Sequence, residues 1–119
     1  MRRIRQYGPN GEFFDMADFA PLVVRCHSVT HWKASIDWAL ARTGEKSDQS
    51  SIRDKRYSTK GLLGLYEDIY QTIDGTLTAY DGNRTIVRFK AVDSSYWEID
   101  SEDDERLEVL GEKFGWYQV

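Results

Sequence analysis

Thr76-Leu77-Thr78-Ala79-Tyr80-Asp81-Gly82-Asn83-Arg84-Thr85-Ile86-Val87-Arg88-Phe89-Lys90-Ala91-Val92 reads as a β-hairpin. Asp81-Gly82-Asn83 has the residue types of a tight turn, and β-branched residues fill the second arm. In that arm Val87, Phe89 and Ala91 share one face while Arg88 and Lys90 share the other. Such alternation belongs to an antiparallel strand with one side on a core and one side in water. Tyr96-Trp97-Glu98-Ile99 adds a third strand of the same kind.

Toward the C-terminus, Ser101 followed by Asp104 resembles a capping box, with Asp in place of Glu or Gln. Leu107, Leu110 and Phe114 continue at helical spacing, and Gly115 ends that helix. Toward the N-terminus, Leu62, Leu65 or Tyr66, Ile69 and Ile73 predict a helix over 61–72, with Thr59 as a cap and Asp74-Gly75 closing it. Residues 45–60 (EKSDQSSIRDKRYSTK) hold the single aliphatic Ile52 among charges and serines, which predicts a mobile charged loop. Trp32, Ile36, Ala39 and Leu40 fall at i, i+4, i+7 and i+8 and predict a helix over 30–43. Ser28 or Thr30 would cap that helix, and Gly44 would end it. Leu22-Val23-Val24, after Pro21, fits a short buried strand. Residues 2–19 fit a hairpin turning at Gly8-Pro9-Asn10-Gly11. The expected fold is α+β: one compact domain over 1–119, with an antiparallel sheet of about five strands packed by about three helices.

With 119 residues, 40% hydrophobic and 13% aromatic, the chain can bury a core of its own. Its 20 acids against 16 bases give a net charge of −4, too little charge and too much aromatic content for a disordered chain. One cysteine excludes a disulfide scaffold and agrees with a reducing compartment. No apolar run reaches the roughly 20 residues of a membrane span, and no apolar segment follows the basic Met1–Arg5 opening. The expected location is therefore cytoplasmic, with no membrane partner. The charge is unevenly spread: residues 1–60 carry eleven bases and seven acids, and residues 61–119 carry five and thirteen. An acidic half repels phosphate backbones and attracts a basic partner.

Cys26, His27 and His31 hold the only thiol and the only imidazoles. A structural zinc site takes four protein ligands, so no metal and no cofactor are expected. Two histidines beside Arg25 and Lys33 would suit a metal-independent hydrolase or ribonuclease, in which imidazoles act as acid and base. That enzyme is the alternative reading. Arg53, Lys55, Arg56 and Lys60, with Arg2, Arg3 and Arg5, could follow a phosphate backbone, but a pI near 5.1 argues against a nucleic-acid partner. The most concentrated feature is Glu98, Asp100, Glu102, Asp103, Asp104 and Glu105, six acids within eight residues. A helix dipole uses two or three carboxylates. The surplus, beside Tyr96 and Trp97, suits contact with a basic protein, charge steering the encounter and aromatic rings anchoring it. The expected partner-binding set is thus Tyr96, Trp97, Glu98, Asp100, Glu102, Asp103, Asp104 and Glu105, with no catalytic residue.

Trp32-Lys33-Ala34-Ser35-Ile36-Asp37-Trp38-Ala39-Leu40 is similar to a Trp-x-x-Ser-x-x-Trp/Leu helix of some small acidic immunity proteins. The chain thereby resembles the immunity proteins of bacterial polymorphic and contact-dependent toxin systems, over about 15 residues and in its acidity. The resemblance implies a mode of action and no individual residue roles: an acidic surface occludes the active site of a basic toxin, often a nuclease. A phage or mobile-element accessory protein that blocks a host factor would act in the same manner.

Overall fold

The computed structural model describes residues 2–41, 46–47, 52–103 and 105–117. Along the chain run β1 (Arg2–Arg5), α1 (Met16–Cys26), β2 (His31–Ala41), β3 (Lys46–Ser47) and β4 (Ile52–Tyr57). They are followed by α2 (Thr59–Tyr66), β5 (Ile69–Asp81), β6 (Arg84–Val92), β7 (Tyr96–Ser101), a 3-10 turn (Glu105–Leu107) and α3 (Glu108–Phe114). Among the described residues, seven strands form one sheet in the order β1-β7-β6-β5-β2-β3, with β4 also paired to β2. Every pairing is antiparallel. The α+β class stands, with more strands than the five expected.

Register explains the core. Ile4, Trp97, Ala91, Gly75 and Ile36 stand opposite one another across five strands. Ile99, Phe89, Leu77 and Ala34 form the next row, then Val87, Ala79 and Trp32. These side chains are buried together with Phe19 and Val23 of α1, Leu62 and Tyr66 of α2, and Leu110 of α3. All three helices therefore cover the same side of the sheet. Phe19 lies at the centre, stacked on Phe89 with centroids 5.3 Å apart and edge-on to Trp97 and Phe114. At Gly75 a Cβ would stand 3.1 Å from both the Ile36 Cα and the Ser35 carbonyl oxygen, so β5 and β2 approach closely only without a side chain there.

Several local expectations are corrected. The helix expected over 30–43 is the strand β2, in which Trp32, Ala34 and Ile36 alternate inward. The register shifts after Ile36, which returns Ala39 to the inner face and reproduces helical spacing on a bulged strand. Leu22-Val23-Val24 belongs to α1, whose buried Met16, Phe19, Ala20 and Val23 have helical period even though Pro21 lies inside it. Residues 45–60, expected as a loop, contain β3, β4 and the start of α2, while residues 45 and 48–51 lie outside those described. α2 ends at Tyr66, and Ile69, Ile73, Asp74 and Gly75 belong to β5. Its cap is Ser58, whose hydroxyl accepts the Gly61 N–H at 3.0 Å. The hairpin at the N-terminus closes through a Tyr7–Phe13 bridge, but the main partner of β1 is β7. β5 and β6 form the hairpin read from the sequence, turning through Gly82 at φ +62°.

A capping box does exist, at Asp15. Asp15 Oδ1 accepts the Met16 N–H at 2.7 Å, and Asp18 Oδ2 accepts the Asp15 N–H at 3.0 Å. The same carboxylate accepts the Thr72 N–H at 2.7 Å and the Thr72 hydroxyl at 3.0 Å, which ties the start of α1 to β5. Burial pushes its pKa up to about 6, against the lowering effect of the Thr72 and Met16 hydrogen bonds. Burial and the neighbouring Asp15 charge likewise push the Tyr66 hydroxyl, bonded to Thr72 Oγ1, well above its ordinary value.

Because Asp15 is raised from 3.8 to about 6, the folded chain holds its proton where the unfolded chain has released it. Its contribution to stability is present below pH 4 and declines as pH rises to 6. Asp15→Ala loses the cap, about 0.5–2 kcal/mol, and orphans the buried Thr72 N–H, about 1–3 kcal/mol. Urea unfolding should show a larger penalty for this variant at pH 5 than at pH 7.

Candidate functional site

With the helices on one side, the other side of the sheet is open. Alternate residues of the strands face it, and the register sets them in two charged rows. Arg3, Glu98, Lys90, Thr76 and Ser35 form one row. Asp100, Arg88, Thr78, Lys33 and Arg56 form the other. Glu98 therefore lies between Arg3 and Lys90, and Asp100 sits beside Arg88 with a nitrogen–oxygen distance of 3.4 Å. Asp100 thus meets a base of its own chain, and Glu98 has a base at the opposite position on each neighbouring strand.

The expected partner-binding residues are thereby separated. Trp97 is a correction: it is fully buried, packs on Phe19 and Phe89, and donates its Nε1–H to the Phe14 carbonyl at 2.9 Å. An anchor for another protein must be exposed, and this ring belongs to the core. Tyr96 is half-buried on the open face, with the Arg3 guanidinium 4.8 Å from its ring centre. Glu98 and Asp100 are on β7, within the charged rows. Glu102 and Glu105 are exposed beyond the strand, with half-buried Asp103 between them, and Asp104 lies outside the described residues.

Ser101 is the last residue of β7, not a helix cap, and its hydroxyl donates to the Ile86 carbonyl at 2.8 Å. The Ser101 oxygen also accepts the Asp103 N–H at 3.2 Å, which turns the chain away from the sheet. Beside this turn lies a small cleft of about 120 Å³, lined by His27, Ser28, Asp81, Arg84, Thr85, Ile86, Glu102 and Asp103. Asp81 and Arg84 come from the β5–β6 turn. Sequence reading missed them because only the hairpin brings that turn beside residue 102.

The two histidines are not brought to one cleft. His27 ends α1, its N–H donated to the Val23 carbonyl, and lines the small cleft. His31 starts β2, where its ring stacks on Tyr80 at 5.0 Å and 5° and its Nδ1 is 2.9 Å from the Thr30 hydroxyl. Burial, followed by the charges of Arg56 and Lys33, holds the His31 pKa below 6.5. The N-terminal arginines are spent on the chain's own rings: Arg2 over Trp116, Arg3 over Tyr96 and Arg5 over Tyr117. Arg2 also pairs with Glu108, whose carboxyl the Arg2 and Trp116 hydrogen bonds hold below its ordinary range.

Among the described residues, no group of three or more His, Cys, Asp or Glu side chains could hold a metal ion. Among the described residues, no helix is long and apolar enough to cross a membrane. No protein-family model, curated protein or solved structure matches the chain.

The division between core and rim is measurable. Trp97→Phe removes the bond to the Phe14 carbonyl and part of a buried ring, and should cost about 1–3 kcal/mol in urea unfolding. Glu102→Ser at the exposed turn should change stability by less than about 0.5 kcal/mol.

Proposed function

We propose that the chain is a non-catalytic binding module that neutralises a basic protein, as immunity proteins do, by setting the acidic turn after β7 against the partner's cationic site. The supporting observation is the state of that turn. Glu102 and Glu105 are exposed and join neither of the ion pairs, Arg2–Glu108 and Arg88–Asp100, found among the described residues. Asp103 stands between them, and Asp81 lines the same cleft.

Exposed Glu102 and Glu105 at the end of the sheet present a local negative field, although Arg84 is close by. Such a field speeds encounter with a cationic surface, and the effect weakens as salt screens it. Tyr96 offers a partly exposed ring on the open face, in place of Trp97. Occlusion of the partner's site, with the turn standing in for the charge of a nucleic-acid substrate, would then be steric and electrostatic. That the partner is a toxin nuclease rests on the acidity of residues 61–119; the stretch 32–40 that resembles an immunity-protein helix lies in the strand β2 and lends no support.

The test captures a basic partner from the source cell with the wild-type chain and then follows its association by stopped flow, for the wild type and for a triple variant Glu102→Ser, Asp103→Ser and Glu105→Ser; recovery of no basic partner would refute the proposal. The variant should associate about tenfold more slowly at low salt and show a flatter salt dependence. An unchanged rate and an unchanged salt response would refute the role given to the turn.

A further inference from the structure

We propose that the open face of the sheet carries a binding site for a phosphate group, centred on Thr78, with Lys33 and Arg88 as its two arms and Arg56 reinforcing it. This site adjoins the acidic turn at Glu102 and does not depend on the role proposed for that turn.

The register carries the argument. Arg56 is opposite Lys33, Lys33 opposite Thr78, and Thr78 opposite Arg88, all on one face. Neighbouring strands lie about 4.8 Å apart, so an anion above Thr78 has an ammonium one strand away on one side and a guanidinium one strand away on the other. Thr78 is 9% exposed, and its short hydroxyl forms the floor between two longer, exposed cations. A tetrahedral phosphate dianion matches a row of cations on both sides of a hydroxyl donor better than a single carboxylate does.

Like charges directly opposite one another on adjacent strands destabilise a sheet. Lys33 and Arg56 are such a pair, and neither joins an ion pair among the described residues. A bound dianion would relieve that repulsion. Arg88 is loosely committed, its side chain 57% exposed and 3.4 Å from Asp100 on the far side of Thr78. The adjoining cleft, about 310 Å³, is lined by Thr78, Tyr80 and Arg88 and also by Asp100 and Glu102. Those carboxylates favour a seat toward Lys33. There the His31–Tyr80 stack forms a wall, with the Lys33 ammonium 5.6 Å from the Tyr80 ring centre.

His31 faces the charges of Lys33 and Arg56, stacks on Tyr80 and contacts the Thr30 hydroxyl. A phosphate seated beside it favours the imidazolium, so its titration midpoint should move upward. The experiment follows both imidazoles by NMR while inorganic phosphate replaces chloride at constant ionic strength. The site predicts a saturable upward shift of His31 with His27 unmoved. Lys33→Gln and Thr78→Val, each with an unchanged amide spectrum elsewhere, should weaken the response about tenfold. Arg56→Gln serves as a second exposed variant, with a smaller loss. A parallel titration with adenosine monophosphate separates sources: saturation by phosphate alone indicates a free anion, and saturation only by the nucleotide indicates a phosphoryl group on a larger molecule. An His31 midpoint that ignores both ligands, or that follows chloride equally, overturns the proposal.

Discussion

The packing of Phe19 against Phe89, Trp97 and Phe114 is the constraint on which the remaining structure depends. One ring on α1 touches two central strands and the last helix, so a single helix face gathers elements from both ends of the chain. Fully burying a side chain of this size stabilises by about 1.5–3 kcal/mol, with further gain from edge-to-face ring geometry. The Asp15–Thr72 hydrogen bonds fix where that helix begins over the sheet. Apolar burial supplies the energy, and the buried carboxylate supplies the position.

Covering one face leaves the other to water, and the antiparallel register decides what water meets. Because side chains alternate along each strand, the residues between buried Val87, Phe89 and Ala91 become a charged surface. On β7 and β6 the acids and bases fall opposite each other, which offsets most of the negative charge that the sequence concentrates at Glu98 and Asp100. Past the end of β7, Arg84 at the start of β6 lines the cleft beside Glu102 and Asp103. Exposed acid stands at Glu102 and Glu105, and positive charge collects where Lys33 of β2 lies opposite Arg56 of β4.

The strands after residue 75 were legible because their period is unbroken and their turn carries Gly82. The stretch 31–41 was not. Trp32 and Ile36 are four apart, a spacing that satisfies both a helix stripe and one face of a strand. The bulge after Ile36 then moved Ala39 inward and completed a false helical pattern. α1 was hidden by Pro21, which ordinarily ends a helix; its buried stripe and Asp15 cap form around it nevertheless. The rim acids Glu102 and Glu105 were legible as charge, whereas the burial of Trp97 depended on which face of β7 met the core.

By itself, the amino-acid sequence determined a mixed α and antiparallel β domain, because an apolar–polar alternation of two and a helical stripe each commit a segment to burying one side. It also determined that acid gathers late in the chain. Only the tertiary structure decided which carboxylates stand beside bases, as Asp100 does beside Arg88, and which cations stand together. Those relations join residues far apart in sequence, such as Lys33 with Thr78 and Arg88, and they exist only once strand register is set.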